Sequence, residues 1–255
     1  MPLKALIFDV DGTLSDTERD GHRPAFNLAF AEVGLDWHWD VALYGELLAV
    51  TGGKERITFY VEHYRPDYQR PADFPALVAR LHAAKTLHYT ALLARGEIPL
   101  RPGVERLLRE ARRGGMRLAI ATTTTPANVT TLLQHTLSAD AVDWFEVIAA
   151  GDVVPAKKPA PDIFNYALAQ LHLAPTDCLA FEDSENGLRA ARGAGLKTVI
   201  TVNDYTHAHD FDGASLVLDH LGEPGQPFTR LAGHAPMVNG VFDLALALQL
   251  YSNSG

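Results

Sequence analysis

The sequence predicts an α/β protein: a Rossmann-like, doubly wound parallel sheet with a small helical cap domain inserted after the first strand. Three observations predict it. From residue 101 onward, short apolar runs alternate with stretches of helical periodicity, the pattern of repeated βα units. A separate apolar run, residues 3–8, precedes this alternation and ends in Asp9-Val-Asp-Gly-Thr13. Between the two, residues 17–98 carry helical spacing and no strand pattern. The chain of 255 residues therefore divides into core residues 1–16, a helical insert 17–98, and the remaining core 99–255.

Each element has its own reason. Residues 3–8 are apolar apart from Lys4, as expected of a strand buried on both faces. In the insert, Ala25, Phe26, Leu28, Ala29, Phe30 and Val33 recur at helical spacing, and Gly34 ends that helix. Residues 77–93 form a second long helical stretch. After Arg101-Pro-Gly103, residues 104–113 read as a helix stopped by Gly114-Gly115. Strands follow at 118–121, 147–148, 179–181 and 198–202, with an edge strand at 215–218. Helices at 127–135, 161–172 and 188–194 alternate with them. Residues 222–236, rich in Gly and Pro, read as loop, and 238–251 as a terminal helix.

Composition narrows the function. Hydrophobic residues make up 47% of the chain, enough for a sizeable core. A net charge of −9 argues against nucleic acid or an anionic membrane as the main partner. It leaves room for a phosphorylated substrate, because a metal and a few local cations reverse the potential inside one cleft. The single cysteine, Cys178, permits no intrachain disulfide and reads as a small buried residue in an apolar run. No stretch approaches the roughly 20 apolar residues of a membrane span, and no signal pattern opens the chain. A cytoplasmic monomer is expected.

Four chemical signals follow four strands. Asp9 and Asp11 follow the first, Thr122 the second, Glu182 and Asp183 the fourth, and Lys158 lies in the loop after the third. Open parallel sheets bind ligands at the carboxyl ends of their strands, so these groups share one cleft. Several acids in one cleft need a cation between them, and oxygen ligands suit Mg²⁺. A carboxylate can attack phosphorus and form an aspartyl-phosphate. A Lys ammonium and a Thr hydroxyl would stabilise the phosphoryl oxygens, and a second carboxyl such as Asp11 could serve as acid and base. Each group also has a plainer reading: Thr122 as a capping residue among four threonines, Lys158 as a solvated charge, Glu182-Asp183 as a helix cap before Ser184. Two His in Tyr205-Thr-His-Ala-His209 read as exposed, and Trp37, Trp39 and Trp144 as packing residues.

Asp9-Val-Asp-Gly-Thr13, Thr122, Lys158-Pro159 and Glu182-Asp183 together resemble the four motifs of the haloacid dehalogenase superfamily. The resemblance implies Asp9 as nucleophile, Asp11 as acid/base, and Thr122, Thr123 and Lys158 on the phosphoryl group. It implies Mg²⁺ held by Asp9, Asp11 (through its backbone carbonyl), Glu182 and Asp183. The family's lysine directly precedes the proline, which favours Lys158 over Lys157. Thr51-Gly-Gly-Lys-Glu-Arg56, with Asp36-Trp-His-Trp-Asp40, Ala84-Lys-Thr86, Thr17-Glu18 and His22, is similar to the CbbY-type phosphatases. Between Glu18 and His22 this chain carries one residue more than that pattern. The resemblance implies a sugar bisphosphate substrate, xylulose-1,5-bisphosphate, an inhibitor of Rubisco in the Calvin cycle. Glu18, His22, Gly52, Gly53, Lys54, Arg56 and Lys85 would then be substrate-binding. Lys54, Arg56 and Lys85 could anchor a second phosphate, and Gly52-Gly53 would let backbone N–H groups approach it. A phosphosugar mutase of the β-phosphoglucomutase kind, or a broader sugar-phosphate phosphatase, is the alternative.

Overall fold

The computed structural model describes residues 3–50, 52–233 and 240–252. It contains a seven-stranded sheet flanked by helices, and it divides into two compact units. One comprises the residues up to Asp16 together with those from Pro99 onward; the other is Thr17–Ile98.

In the α/β unit, β1 (Ala5–Phe8) is the central strand. After the insert come α5 (Val104–Arg113), β2 (Arg117–Ala121), α6 (Pro126–Thr136), β3 (Val147–Ala149) and α7 (Asp162–Leu171), the insert itself holding α1 to α4. Then follow β4 (Cys178–Glu182), α8 (Glu185–Gly193), β5 (Lys197–Thr201), β6 (Leu216–Leu218), β7 (Arg230–Gly233) and α9 (Leu244–Ser252). The strand order is β3-β2-β1-β4-β5-β6-β7, parallel throughout except for β7. The order reverses direction between β1 and β4, the crevice where doubly wound sheets bind ligands. Every residue of β1 and β4 is buried, which is why both read as unbroken apolar runs.

Two sequence expectations are corrected at the sheet's far edge. Residues 222–236 were expected to be loop, but Arg230–Gly233 forms β7, antiparallel to β6. All four of its residues are exposed, so the strand has no buried face to leave a hydrophobic alternation. The terminal helix, expected from residue 238, begins at Leu244 among the described residues; 234–239 lie outside them. Asp243 accepts from the Leu246 N–H at 2.7 Å and starts it. Just before, fully buried Phe242 donates its N–H to the Leu221 carbonyl at 2.8 Å, which takes the chain out of helical hydrogen bonding.

The helical unit contains a π-helical turn (Thr17–His22), α1 (Arg23–Glu32), α2 (Val41–Leu47), α3 (Gly53–Tyr64) and α4 (Phe74–Ala94). Its core is aromatic: Phe26, Phe30, Trp37, Trp39, Tyr44 and Tyr60 pack with ring centroids 4.6 to 6.2 Å apart. Asp40 accepts from the Leu43 N–H at 2.8 Å and Asp73 from the Ala76 N–H at 3.1 Å, capping α2 and α4. No helix among the described residues is long and apolar enough to cross a membrane.

Candidate active site

The strand ladder carries the site residues to their places. Asp9 follows β1 and donates its N–H to the Phe181 carbonyl of β4 at 3.0 Å. Phe8 stacks on Phe181 with centroids 4.5 Å apart, so the two strands are locked side by side at their carboxyl ends. Thr122, the residue after β2, likewise donates its N–H to the Ala149 carbonyl at 2.9 Å. Beyond Asp9 the chain turns tightly: Leu14 N–H reaches the Val10 carbonyl at 2.9 Å and Gly12 N–H the Ser15 carbonyl at 2.7 Å. Gly12 has φ of 82°, and a Cβ there would lie 2.2 Å from Asp183 Oδ2. Glycine is required at this position both for its backbone angle and for the space.

Asp9, Glu182 and Asp183 form a cluster whose carboxylate oxygens come within 4.8 Å of one another. All three are buried, at 6%, 1% and 8% exposure. Lys158 reaches into the cluster, its Nζ 2.6 Å from Asp9 Oδ1 and 2.5 Å from Glu182 Oε1. Burial alone would lower the Lys158 pKa, but Asp9 and Glu182 outweigh it and raise it, so the ammonium stays charged. Burial, opposed by Lys158 and reinforced by Asp9, pushes Glu182 well above the carboxylate range. Burial and Asp9 together push Asp183 up to about 7. One ammonium offsets one of three carboxylates; a divalent cation would offset the other two. Hard, buried, convergent oxygen donors fit a hard divalent cation of the Mg²⁺ kind.

Helix α8 begins directly beside the cluster. Its cap is Ser184, which accepts from the Gly187 N–H at 3.1 Å, so Glu182 and Asp183 are not spent on capping. Lys157 is held elsewhere, by the Gly151 carbonyl at 2.5 Å and by Asp152 at 2.6 Å. Thr122 is fully buried beside the sheet end and its Oγ1 accepts from the Thr124 N–H at 3.3 Å; Thr123 is exposed. Asp11 is half-buried in the turn, bridged to Ser15. Cys178 is buried, with its thiol pushed up to about 12 chiefly by burial, so it is unreactive. His207 and His209 are exposed; His209 Nδ1 accepts from the Glu185 N–H at 3.3 Å.

The helical unit holds a second charged cluster. Glu18 accepts from the Tyr44 hydroxyl at 2.6 Å. Burial pushes Glu18 up, but His22, Tyr44, Arg56 and Lys85 together hold it below the usual carboxylate range. Lys85 Nζ lies 2.8 Å from His22 Nδ1, and the His22 ring stacks on Tyr89 at 3.8 Å. Burial, and then Lys85 and Arg56 against Glu18, lower His22 to about 4. Glu18 and His22 both lie in the π-helical turn, whose hydrogen bonds span one residue more than those of an α-helix.

Arg56, expected among the distal-phosphate anchors, is bound to protein groups. It is buried and donates to the Leu47 carbonyl at 3.1 Å, the Val50 carbonyl at 3.3 Å and the Tyr44 hydroxyl at 2.9 Å. It braces the chain just ahead of Gly52. Lys54 is exposed in the first turn of α3, next to Gly53 and after Gly52, whose φ is 94°. Thr51 lies outside the described residues.

Three residues of these clusters escaped the sequence reading. Tyr44 joins Glu18 to Arg56, and no pattern marks it, because its partner is 26 residues away. Arg101 is a buried guanidinium bound to several backbone carbonyls. Asn203 donates to Asp183 Oδ2 at 2.8 Å. It follows β5 closely, so the strand-end rule that located Asp9 could have found it.

Comparison with known proteins identifies the family. Residues 3–195 match the family model for haloacid dehalogenase-like hydrolase. The protein CbbY encoded on a plasmid of Cupriavidus necator is 51% identical over 234 residues, covering 92% of this chain and 91% of that protein. The crystal structure of CbbY from Rhodobacter sphaeroides in complex with phosphate is similar with a TM-score of 0.71 at 49% identity, over 88% of this chain and 96% of that one. A variant of the same enzyme in complex with xylulose-(1,5)bisphosphate has the same TM-score and coverage at 48% identity. The protein is a phosphatase, and the chain belongs to the haloacid dehalogenase-like hydrolases.

Proposed function

We propose that this protein is a Mg²⁺-dependent phosphatase that converts xylulose-1,5-bisphosphate to xylulose-5-phosphate through an aspartyl-phosphate on Asp9. The observation that carries the reaction is the buried cluster of Asp9, Glu182 and Asp183 with Lys158 at hydrogen-bond distance. The substrate rests on the similarity to a CbbY solved with xylulose-(1,5)bisphosphate.

The residues take the following roles. An Asp9 carboxylate oxygen attacks phosphorus while the bond to the sugar oxygen breaks. Asp11 donates a proton to that oxygen, and the sugar monophosphate leaves. Asp11, now a carboxylate, takes a proton from water as the water oxygen attacks the aspartyl-phosphate; inorganic phosphate leaves and Asp9 is regenerated. Lys158 and Thr122 stabilise the transferring phosphoryl oxygens. Asp9, the Asp11 backbone carbonyl, Glu182 and Asp183 hold the Mg²⁺, which neutralises charge on the phosphoryl group when bound.

The helical unit supplies the residues that receive the second phosphate and the sugar. Its charge supports this. Burial first, and then Lys85 and Lys54 against Glu55, lower His82. The same potential attracts an anion. Lys54, Lys85 and the Gly52-Gly53 backbone receive the distal phosphate, Glu18 and His22 the sugar, and Arg56 braces them through Tyr44.

Phosphate release from a panel of sugar mono- and bisphosphates, with Mg²⁺ and then with EDTA, tests the reading. Hydrolysis of xylulose-1,5-bisphosphate far faster than ribulose-1,5-bisphosphate, and only with Mg²⁺, is expected. Cleavage of generic monophosphates alone would remove the substrate assignment and keep the chemistry. Release of no phosphate from any of them would point to a mutase.

A further inference from the structure

Asp183 is held by a group outside the four sequence motifs. Asn203 donates Nδ2–H to Asp183 Oδ2 at 2.8 Å. The direction of this bond is set by the other end of the amide, because Oδ1 accepts from the Tyr205 N–H at 2.9 Å. The side chain is thus committed at both ends. Its backbone is fixed as well: Asn203 N–H donates to Thr206 Oγ1 at 3.0 Å, and Thr206 N–H donates back to the Asn203 carbonyl at 3.1 Å.

Arg101 ties this turn to the turn after β1. Its guanidinium donates to the Gly12 carbonyl, to the Thr201 carbonyl at 2.8 Å, to the Val202 carbonyl at 2.5 Å and to the Asp219 carbonyl at 2.8 Å. Its Nε lies 3.3 Å from Asp16. Gly12 on one side and Val202 on the other are therefore fixed by a single buried group. A Cβ on Gly12 would come 2.6 Å from Asn203 Nδ2 as well as 2.2 Å from Asp183 Oδ2. The nucleophile turn, the Asp183 carboxyl and the Asn203 amide lie close together, with no space for a side chain at Gly12.

We propose that Asn203 is a positioning residue of the acid cluster: its amide holds the Asp183 carboxylate in the orientation in which the cluster takes Mg²⁺. The proposal rests on the metal reading given above. A donor on one carboxylate oxygen fixes the plane of the group, as outer partners of metal ligands generally do. Arg101 supports the same arrangement by holding the two turns in register.

Calorimetric titration of the metal-free full chain with Mg²⁺ alone tests it, using wild type, Asn203→Ala and Asn203→Leu. Both variants should bind Mg²⁺ at least about tenfold more weakly than wild type while retaining a cooperative melting transition. Wild-type affinity in a folded variant would overturn the proposal. Failure of wild type itself to bind Mg²⁺ would overturn the metal reading first, and is distinguishable for that reason. Should neither variant fold, the wild-type Asn203 side-chain amide resonance decides: it should shift on adding Mg²⁺, and an unmoved resonance would overturn the proposal.

Discussion

The two units of this protein fix charged side chains in different ways. In the α/β unit Asp9, Thr122 and Asp183 each sit one residue past a strand end, and the backbone ladder of the sheet places two of them: Asp9 by the Phe181 carbonyl, Thr122 by the Ala149 carbonyl. In the helical unit Glu18, His22 and Lys85 are held by one another and by aromatic rings, through contacts such as Tyr44 to Glu18 and Tyr89 on His22. The sheet positions charge through hydrogen bonds that every residue type can make. The helices position it through particular side chains, so the second cluster depends on more of the sequence.

Four experiments test this contrast. The largest effect is expected at Asp9. Asp9→Asn should leave the fold intact, since the ladder bond comes from the backbone, and reduce turnover below about 1% of wild type, several kcal/mol of barrier. Steady-state phosphate release with a thermal melt would check both halves; turnover above that level would count against a covalent intermediate.

Next is Lys158→Met. It leaves Asp9 and Glu182 without their cation and should cost about 3–5 kcal/mol of stability in the metal-free protein. Denaturant unfolding measures the loss, and added Mg²⁺ should restore part of it. A variant as stable as wild type would show that the cluster does not depend on the ammonium.

The helical unit should reveal itself by pH. His22 titrates near 6.5 in the unfolded chain and near 4 in the folded one. Between those values the unfolded chain holds the extra proton, so the stability this group contributes is complete above pH 6.5. It is lost as pH falls towards 4, on the order of 2 kcal/mol after discounting for partial exposure. Glu18, held below its usual range, loses its contribution in the same direction. Melting temperatures from pH 7 to 4 should fall more steeply for wild type than for His22→Gln; identical slopes would refute the assignment.

The smallest effect is expected at exposed Lys54. Lys54→Ala should raise KM for a bisphosphate by about tenfold, roughly 1.4 kcal/mol, with kcat retained and small monophosphates spared. Equal losses on both substrate types would show that Lys54 does not contact the distal phosphate.

The sequence was more informative for the sheet than for its edge or for the helical insert. The buried strands β1 and β4 are legible because both faces select apolar residues, and their ends mark the site. Strand β7 is not, since its residues are exposed and only pairing with β6 makes it a strand. In the insert, α1 and α4 are marked by periodicity, whereas the bond between Tyr44 and Glu18 leaves no local trace.

The nature of the core was thus legible from the residues alone: an alternating βα pattern, with Asp9, Thr122, Lys158, Glu182 and Asp183 at or after strand ends, because strand ends are set by local apolar runs and the turns that stop them. Three-dimensional contacts were needed to show that Arg56 is spent on backbone carbonyls and that Asn203 holds Asp183. Those outcomes turn on the direction of a side chain and on partners distant in the chain, and neither is carried by the spacing of residues.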